Sequence, residues 1–429
     1  MLTQPSISIA TPDPIHTSTR QKTALAISSI GVLYWLLVWL SNSFYNIYGL
    51  IFSIIFIIFG VAFFVKEEYR DKPEGIKNTG IWLNSLTARG IWGWLLGVLL
   101  TGFYIVLYWY GEKLAGLIAL FDPLSRGIRG VAADHWFVYG ALYTFGVLVM
   151  GYKFLMKYRH NRYQVVRTCS VMFFQLVFAF LLPSFLKMMN EPEYYFTYFF
   201  PLKTDVLKPD GVSWVIQSSA RGWGAYFLGF SALMTFVATP TLTYFFGKRW
   251  YCSWVCGCGG LAETVGDPFR HLSDKRLIAW KLERWLIHSV LIAVVLMTLL
   301  LWINSATQGA ILKDFSLGFS KVYGFLIGSV FSGVIGTGFY PLLGSRVWCR
   351  FGCPQAAILG IFQRKKSRFR ITTNGGQCIS CGNCSTFCEM GIDVRAYAQR
   401  GEPIVRASCV GCGICSAVCP RGVLKLENK

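Results

Sequence analysis

The sequence predicts an all-α polytopic membrane protein of about eight transmembrane helices, with a small α+β domain at its C-terminus. Three observations predict it. The 429 residues are 54% hydrophobic and 16% aromatic but only 14% charged, against roughly 25% charged in soluble domains. Eight apolar runs (24–40, 45–65, 91–110, 138–156, 170–188, 223–247, 285–303 and 323–343) are long enough to cross a hydrocarbon core of roughly 30 Å. After residue 345 the balance reverses: residues 345–429 hold thirteen Lys/Arg against four Asp/Glu, and eight of the fourteen cysteines lie between 378 and 419. A chain this apolar does not stay solvated and disordered, and its cysteines are too dilute for a disulfide scaffold.

The elements follow in order. Residues 1–23 form a polar N-terminal tail, and the apolar run behind it lacks a small-residue cleavage site, so no cleaved signal peptide is expected. Residues 24–222 hold the first five helices, the first two close enough for a hairpin, and 170–188 the weakest because Pro183 and Lys187 interrupt it. Residues 223–363 hold the remaining three, and 364–429 the tail domain. Lys66, Arg70, Lys72, Lys77 and Arg89 follow helix two; Lys157, Arg159, Arg162 and Arg167 follow helix four; Lys248, Arg249, Arg270, Lys275, Arg276 and Lys281 follow helix six. These fifteen Lys/Arg stand against eight in the alternate loops. The positive-inside bias then places both termini and the tail domain in the cytoplasm, in a multi-pass protein of a bacterial inner membrane.

The strongest chemical signal is Cys378-x2-Cys381-x2-Cys384-x3-Cys388, followed by Cys409-x2-Cys412-x2-Cys415-x3-Cys419-Pro420. Two copies of this spacing are the signature of a bacterial-type ferredoxin domain with two 4Fe-4S clusters, in which the fourth Cys of each run serves the other cluster. Three thiolates on a tight loop wrap three irons of one cubane, and the fourth ligand comes from elsewhere. One cluster is therefore expected on Cys378, Cys381, Cys384 and Cys419, the other on Cys409, Cys412, Cys415 and Cys388. Zinc also takes Cys-x2-Cys pairs, but does not need the doubled four-Cys run. One departure stands out: Glu389 follows Cys388 where Pro is usual, a change expected to touch loop rigidity more than ligation.

A second constellation repeats after two helices. Gly247-Lys-Arg249-Trp-Tyr-Cys252-Ser-Trp-Val-Cys256 and Gly344-Ser-Arg346-Val-Trp-Cys349-Arg-Phe-Gly-Cys353 share Gly, Arg and both Cys, with aromatics in the same two slots. Two Cys-x3-Cys pairs at one membrane surface supply the ligands for a third iron–sulfur cluster or another redox metal. Gly257 stands where the second copy has Pro354, and Cys258 adds a thiol, so Cys256 and Cys258 compete as ligands. A dithiol or catalytic thiol, or purely structural cysteines, are the competing readings; stable disulfides are disfavoured on a reducing side.

Other residues carry weaker signals. Cys169 reads as a buried small hydrophobe. Only His288 lies within a span, which disfavours a paired-histidine haem, and Asp134-His135 is a weak candidate for quinone proton transfer. The run Arg364-Lys365-Lys366-Ser367-Arg368-Phe369-Arg370 suits anionic lipid headgroups, or an acidic redox partner, better than nucleic acid, which is not expected as a partner.

Residues 223–429 resemble the membrane-bound polyferredoxins, the family of the quinol-dehydrogenase subunit of periplasmic nitrate reduction, the nitrous-oxide reductase activation protein and the oxidase-assembly copper reductase. The resemblance rests on the two Cys-x3-Cys motifs behind helices and the double ferredoxin run. It implies membrane electron transfer from a quinol or cytoplasmic donor to a partner protein. The chain departs from two branches, having no room for a large flavin domain and stopping at Lys429 where a β-domain would follow. The expected function is an iron–sulfur electron-transfer subunit passing electrons between a cytoplasmic donor or the quinone pool and a partner oxidoreductase. A stand-alone quinone or metal-ion reductase and a redox-sensing assembly factor are the alternatives.

Overall fold

The computed structural model describes residues 14–70, 81–82 and 84–428. Among the described residues, eight helices are long and apolar enough to cross a membrane. They are α1 (Thr19–Ser41), α2 (Ile47–Tyr69) and α3 (Ile91–Trp109), then, beyond the amphipathic α4 (Ala115–Arg129), α5 (His135–Lys157), α6 (Arg162–Met188), α7 (Gly224–Phe246), α8 (Leu277–Ala306) and α9 (Lys313–Ile335). Polar caps set several starts: Ser18 and Gln21 form a capping box on α1, while Asn46, Asp134 and Asn161 each accept a first-turn N–H of α2, α5 and α6. α1 and α2 form a hairpin packed through small residues: a Cβ on Gly31 would lie 2.5 Å from the Ser53 carbonyl oxygen, and one on Gly60 2.6 Å from that of Ala24.

Three helices depart from the hydropathy reading, one of them α8, which starts at Leu277, so that Lys281, expected in a loop, is helical. α6 starts at Arg162, so Arg162 and Arg167, expected in a loop, are helical; polar first turns are invisible to a search for apolar runs. The last span is Lys313–Ile335 and not 323–343: a turn follows it, and Tyr340–Leu343 is a separate short helix. Tyr340 and Leu342 are buried against protein, so the apolar run continues past the helix that it was expected to mark. Wide π-helical turns interrupt α6 at Phe174–Leu181, α7 at Leu233–Ala238 and α9 at Gly324–Ile335. Such turns commonly accompany functional sites.

The tail begins on α10 (Pro354–Lys366) and forms a two-stranded antiparallel sheet, β1 (Phe369–Thr373) against β2 (Leu424–Asn428), with Phe369 opposite Asn428 and Thr373 opposite Leu424. It is docked on the bundle: Phe369, Ile371, Met390, Ile392, Val410 and Leu424 share one core with Phe199, Tyr251 and Leu359. The basic loops gather at the same end, where Arg89 donates to the carbonyls of Leu272 and Leu342 (2.8 and 2.7 Å) and Lys248 to that of Ala407 (3.0 Å). Lys72 and Lys77, counted in the charge bias, lie outside the described residues, as do residues 1–13 of the N-terminal tail.

Candidate iron–sulfur centres

In the tail domain Cys388, Cys409, Cys412 and Cys415 line one small apolar cavity, and Cys378, Cys381, Cys384 and Cys419 line another. The chain folds this way because each Cys run has a left-handed glycine between its second and third Cys, Gly382 (φ 84°) and Gly413 (φ 75°). That residue reverses the chain into a single helical turn, Asn383–Thr386 or Ile414–Ala417, which carries the third thiol. Alanine at Gly413 is expected to destabilise the loop by about 1–2 kcal/mol from the backbone alone. Its Cβ would also press on Tyr163 and Gln164 at 2.9 and 3.0 Å. Thermal unfolding of the purified protein checks this, with Gly127→Ala, where a Cβ meets open space, as the control.

The donor set fits a cubane cluster. Burial pushes the Cys384 thiol up to about 12 and Cys409 up to about 11, so bare thiols here stay protonated and thiolates need positive charge supplied with the metal. Backbone N–H groups already approach the sulfurs, Ile392 reaching Cys388 Sγ at 3.4 Å and Gly411 serving Cys409. Amides placed so stabilise cluster thiolates.

Membrane-domain side chains clamp one of these loops. Gln363 donates to the carbonyls of Arg406 and Cys409 (both 2.7 Å), Ser253 to Val410 (2.7 Å), Tyr163 to Gly411 (2.8 Å) and Gln164 to Cys412 (2.8 Å). The Cys378 loop faces outward instead, with Ile379 58% exposed.

Cys252, Cys256, Cys258, Cys349 and Cys353 all line a third cavity, of about 970 Å³. Burial pushes Cys252 up to about 12 and also raises Cys353, which lies beside the thiols of Cys349, Cys252 and Cys256. Cys256 is held down, to about 6, chiefly because Cys258 donates to it. Cys258 shares this lining with Tyr139 and Tyr143 of α5. The cavity continues past Tyr143 to Tyr139, Trp136 and Asp134. Asp134 stands nine positions before Tyr143, about 14 Å along α5. Arg129 closes the far end, pairing with Glu193 at 2.6 Å and Asp134 at 3.5 Å.

Between the third cavity and the clamped loop lies a buried ionic network that sequence reasoning missed. Glu263 meets Arg346, Arg167 and Arg270 at 2.5, 2.6 and 3.2 Å; Glu389 meets Arg270 and Arg346 at 3.0 and 3.1 Å. Burial alone would raise the Glu263 carboxyl, yet the three guanidiniums hold it well below the usual carboxylate range. Asp267 extends the network to Lys153 and Lys157 at the end of α5. Glu389 is therefore more than a change in loop rigidity: its carboxylate faces two arginines of the membrane domain. Two signals were available in the sequence, the departure at Glu389 and the Arg shared by both Cys-x3-Cys repeats. Arg249, the other copy of that Arg, stacks on Phe369 at 4.6 Å and reaches Asn428 at 3.0 Å.

Of the weaker candidates, Cys169 is exposed, against expectation, because its position on α6 points away from the protein interior. His288 is exposed as well. Asp134 caps α5 and lines the large cavity, whereas His135 packs on Trp136 at 5.0 Å. Arg364, Lys365 and Lys366 form the exposed last turn of α10.

A family model described as a 4Fe-4S binding domain matches residues 228–276 and 325–372, and one described as a 4Fe-4S dicluster domain matches 370–420. YccM of Escherichia coli (strain K12), a protein named for electron transport, is 28% identical over 169 residues, covering 34% of this chain and 43% of that protein. The methylamine utilization ferredoxin-type protein MauN of Paracoccus denitrificans (strain Pd 1222) is 26% identical over 207 residues, 44% of this chain and 65% of that protein. The chain thus spans less than two thirds of either relative. No solved structure matches. With the eight apolar helices found among the described residues, these matches give a multi-pass membrane protein that carries 4Fe-4S binding domains in residues 228–420 and is similar to YccM and MauN over part of its length.

Proposed function

We propose that the protein is a membrane-bound iron–sulfur electron carrier, passing electrons between the quinone pool or a cytoplasmic donor and a partner oxidoreductase. The observation that carries this reading is the serial arrangement of three thiol sets: one at the membrane domain, one clamped against it, and one exposed at the far side of the tail. A bound cubane stores and releases one electron at a time. The chain's part is to hold such groups close, exclude water and direct amides and cations at the sulfurs.

In this reading Cys378, Cys381, Cys384 and Cys419 hold the outermost cluster, which meets the soluble redox partner, and Cys388, Cys409, Cys412 and Cys415 hold the inner one. Cys252, Cys256, Cys349 and Cys353 hold a third, with Cys258 as the spare thiol on the same cavity. The tail and both termini are cytoplasmic, consistent with the basic loops at the same end. The printed name of YccM and the ferredoxin-type title of MauN agree with electron transfer. Kinship with the quinol-dehydrogenase branch of the polyferredoxins is part of the same proposal. Iron and acid-labile sulfide counts with EPR on anaerobically purified protein test it: about twelve irons per chain are expected, and about eight would remove the third cluster. A colourless, zinc-containing preparation would end the reading.

The large cavity favours a second reading, in which the chain itself exchanges electrons with a quinone. Its aromatic walls suit a lipophilic head group, and its lining also includes the charged side chains Arg129, Asp134, Glu193, Lys203 and Lys208 beside the five thiols. Turnover of a short-chain quinol by the purified chain distinguishes this from a carrier that needs its partner.

A further inference from the structure

Glu389 is costly where it stands. A carboxylate removed from water needs close cationic partners, and the equivalent position after Cys419 is Pro420, which carries no charge. Its side chain is fully buried, and its oxygens meet Arg270 Nη1 and Arg346 Nε as charge contacts at 3.0 and 3.1 Å. Its backbone carbonyl accepts from Ser273 at 2.7 Å. A Glu389 oxygen, a Glu263 oxygen and Cys412 Sγ lie within 4.8 Å of one another, but both carboxylates are already engaged by arginines.

Arg346 faces the other way as well. Its Nη1 donates to Cys349 Sγ at 3.6 Å and to the Cys252 carbonyl at 3.1 Å. Two side chains therefore lead from a sulfur of the membrane-domain set to the sulfurs of the clamped set: Cys349 to Arg346, Arg346 to Glu389, and Glu389 to Cys412 in space and Cys388 in sequence.

We propose that Arg346 and Glu389 are positioning residues that form an ion-pair bridge between the Cys349 and Cys388 thiol sets, fixing their spacing and tying the charge of one to the charge of the other. The bridge rests on the proposed reading that both sets hold iron–sulfur clusters. Negative charge added at either set acts on the fixed positive charge of Arg346, which Glu389 holds between the two sets. The Cys378 set, on the far side of the tail domain, has no such link among the described residues.

The test is redox titration of the EPR signals in the full-length protein, comparing wild type with E389Q, R346Q and R346K. Removing the carboxylate in E389Q makes the Cys388 centre easier to reduce, so its midpoint potential rises. Removing the guanidinium in R346Q lowers the potentials of both the Cys349 and the Cys388 centres. R346K keeps the charge and stays close to wild type. The Cys378 centre is the internal reference and moves in none of them. If R346Q leaves the Cys388 potential in place, or shifts all three centres alike, the bridge is refuted. Where E389Q loses its clamped centre outright, R346Q against R346K still decides, because only charge differs in the sense required. Failure of the underlying reading shows separately, as a wild-type protein without the third signal; the effect of R346Q on the Cys388 centre remains readable there.

Discussion

Replacing Cys349 with serine is expected to remove one iron–sulfur signal and about four irons per chain, while leaving the two centres of the tail domain. Cys349 is buried at 6% exposure and takes a hydrogen bond from Arg346, so its sulfur is held in place by the protein as one of the four expected ligands. The tail sets draw all eight of their thiols from residues 378–419, and do not depend on it. EPR with iron analysis reads both parts of the result. An unchanged spectrum and iron content would make the Cys-x3-Cys pairs structural. The companion variant C258S separates the fifth thiol from the four: with Cys256 as ligand, C258S keeps the signal that C349S loses.

The second large effect is expected at Glu263. Its carboxylate is the common partner of Arg167 on α6, Arg270 ahead of α8 and Arg346 of the second repeat. Glu263→Ala leaves three buried guanidiniums short of a partner, and losing one partner of a buried pair typically costs about 3–5 kcal/mol. The loss should appear as a lower midpoint of thermal unfolding in detergent. It should also free the clamped loop, because Arg167 is held in place beside Gln164, the donor to the Cys412 carbonyl. Faster protease cleavage around residues 402–412 would report that release. A surface pair such as Arg400–Glu402, both members half exposed, is the control, since exposed pairs contribute about 0–1 kcal/mol. Equal effects at the two sites would contradict a special role for Glu263.

The eight apolar helices and the doubled ferredoxin run were legible because each is written locally. A span needs only sustained hydrophobicity over about 20 residues, and a cubane loop needs thiols and a glycine at fixed spacing. The errors fell where local signals compete with burial in protein. The run 323–343 reads as one span because Tyr340 and Leu342 are apolar for the sake of protein contacts rather than lipid. Arg167 reads as a loop charge because its partner, Glu263, is 96 residues away. Cys169 reads as buried because nothing in the local sequence says which side of α6 meets protein.

By itself, then, the sequence determined the membrane class, the helices and the cysteine spacing of the tail, since each depends on residues close together along the chain. The folded structure decided that the tail is docked rather than tethered, that one thiol loop is clamped and the other faces outward, and that a large aromatic cavity reaches the membrane-domain thiols. These depend on groups brought together from α5, α6, the two repeats and the tail. A buried charge is tolerated only when its counter-charge arrives from another segment, and that pairing exists only once the chain has folded.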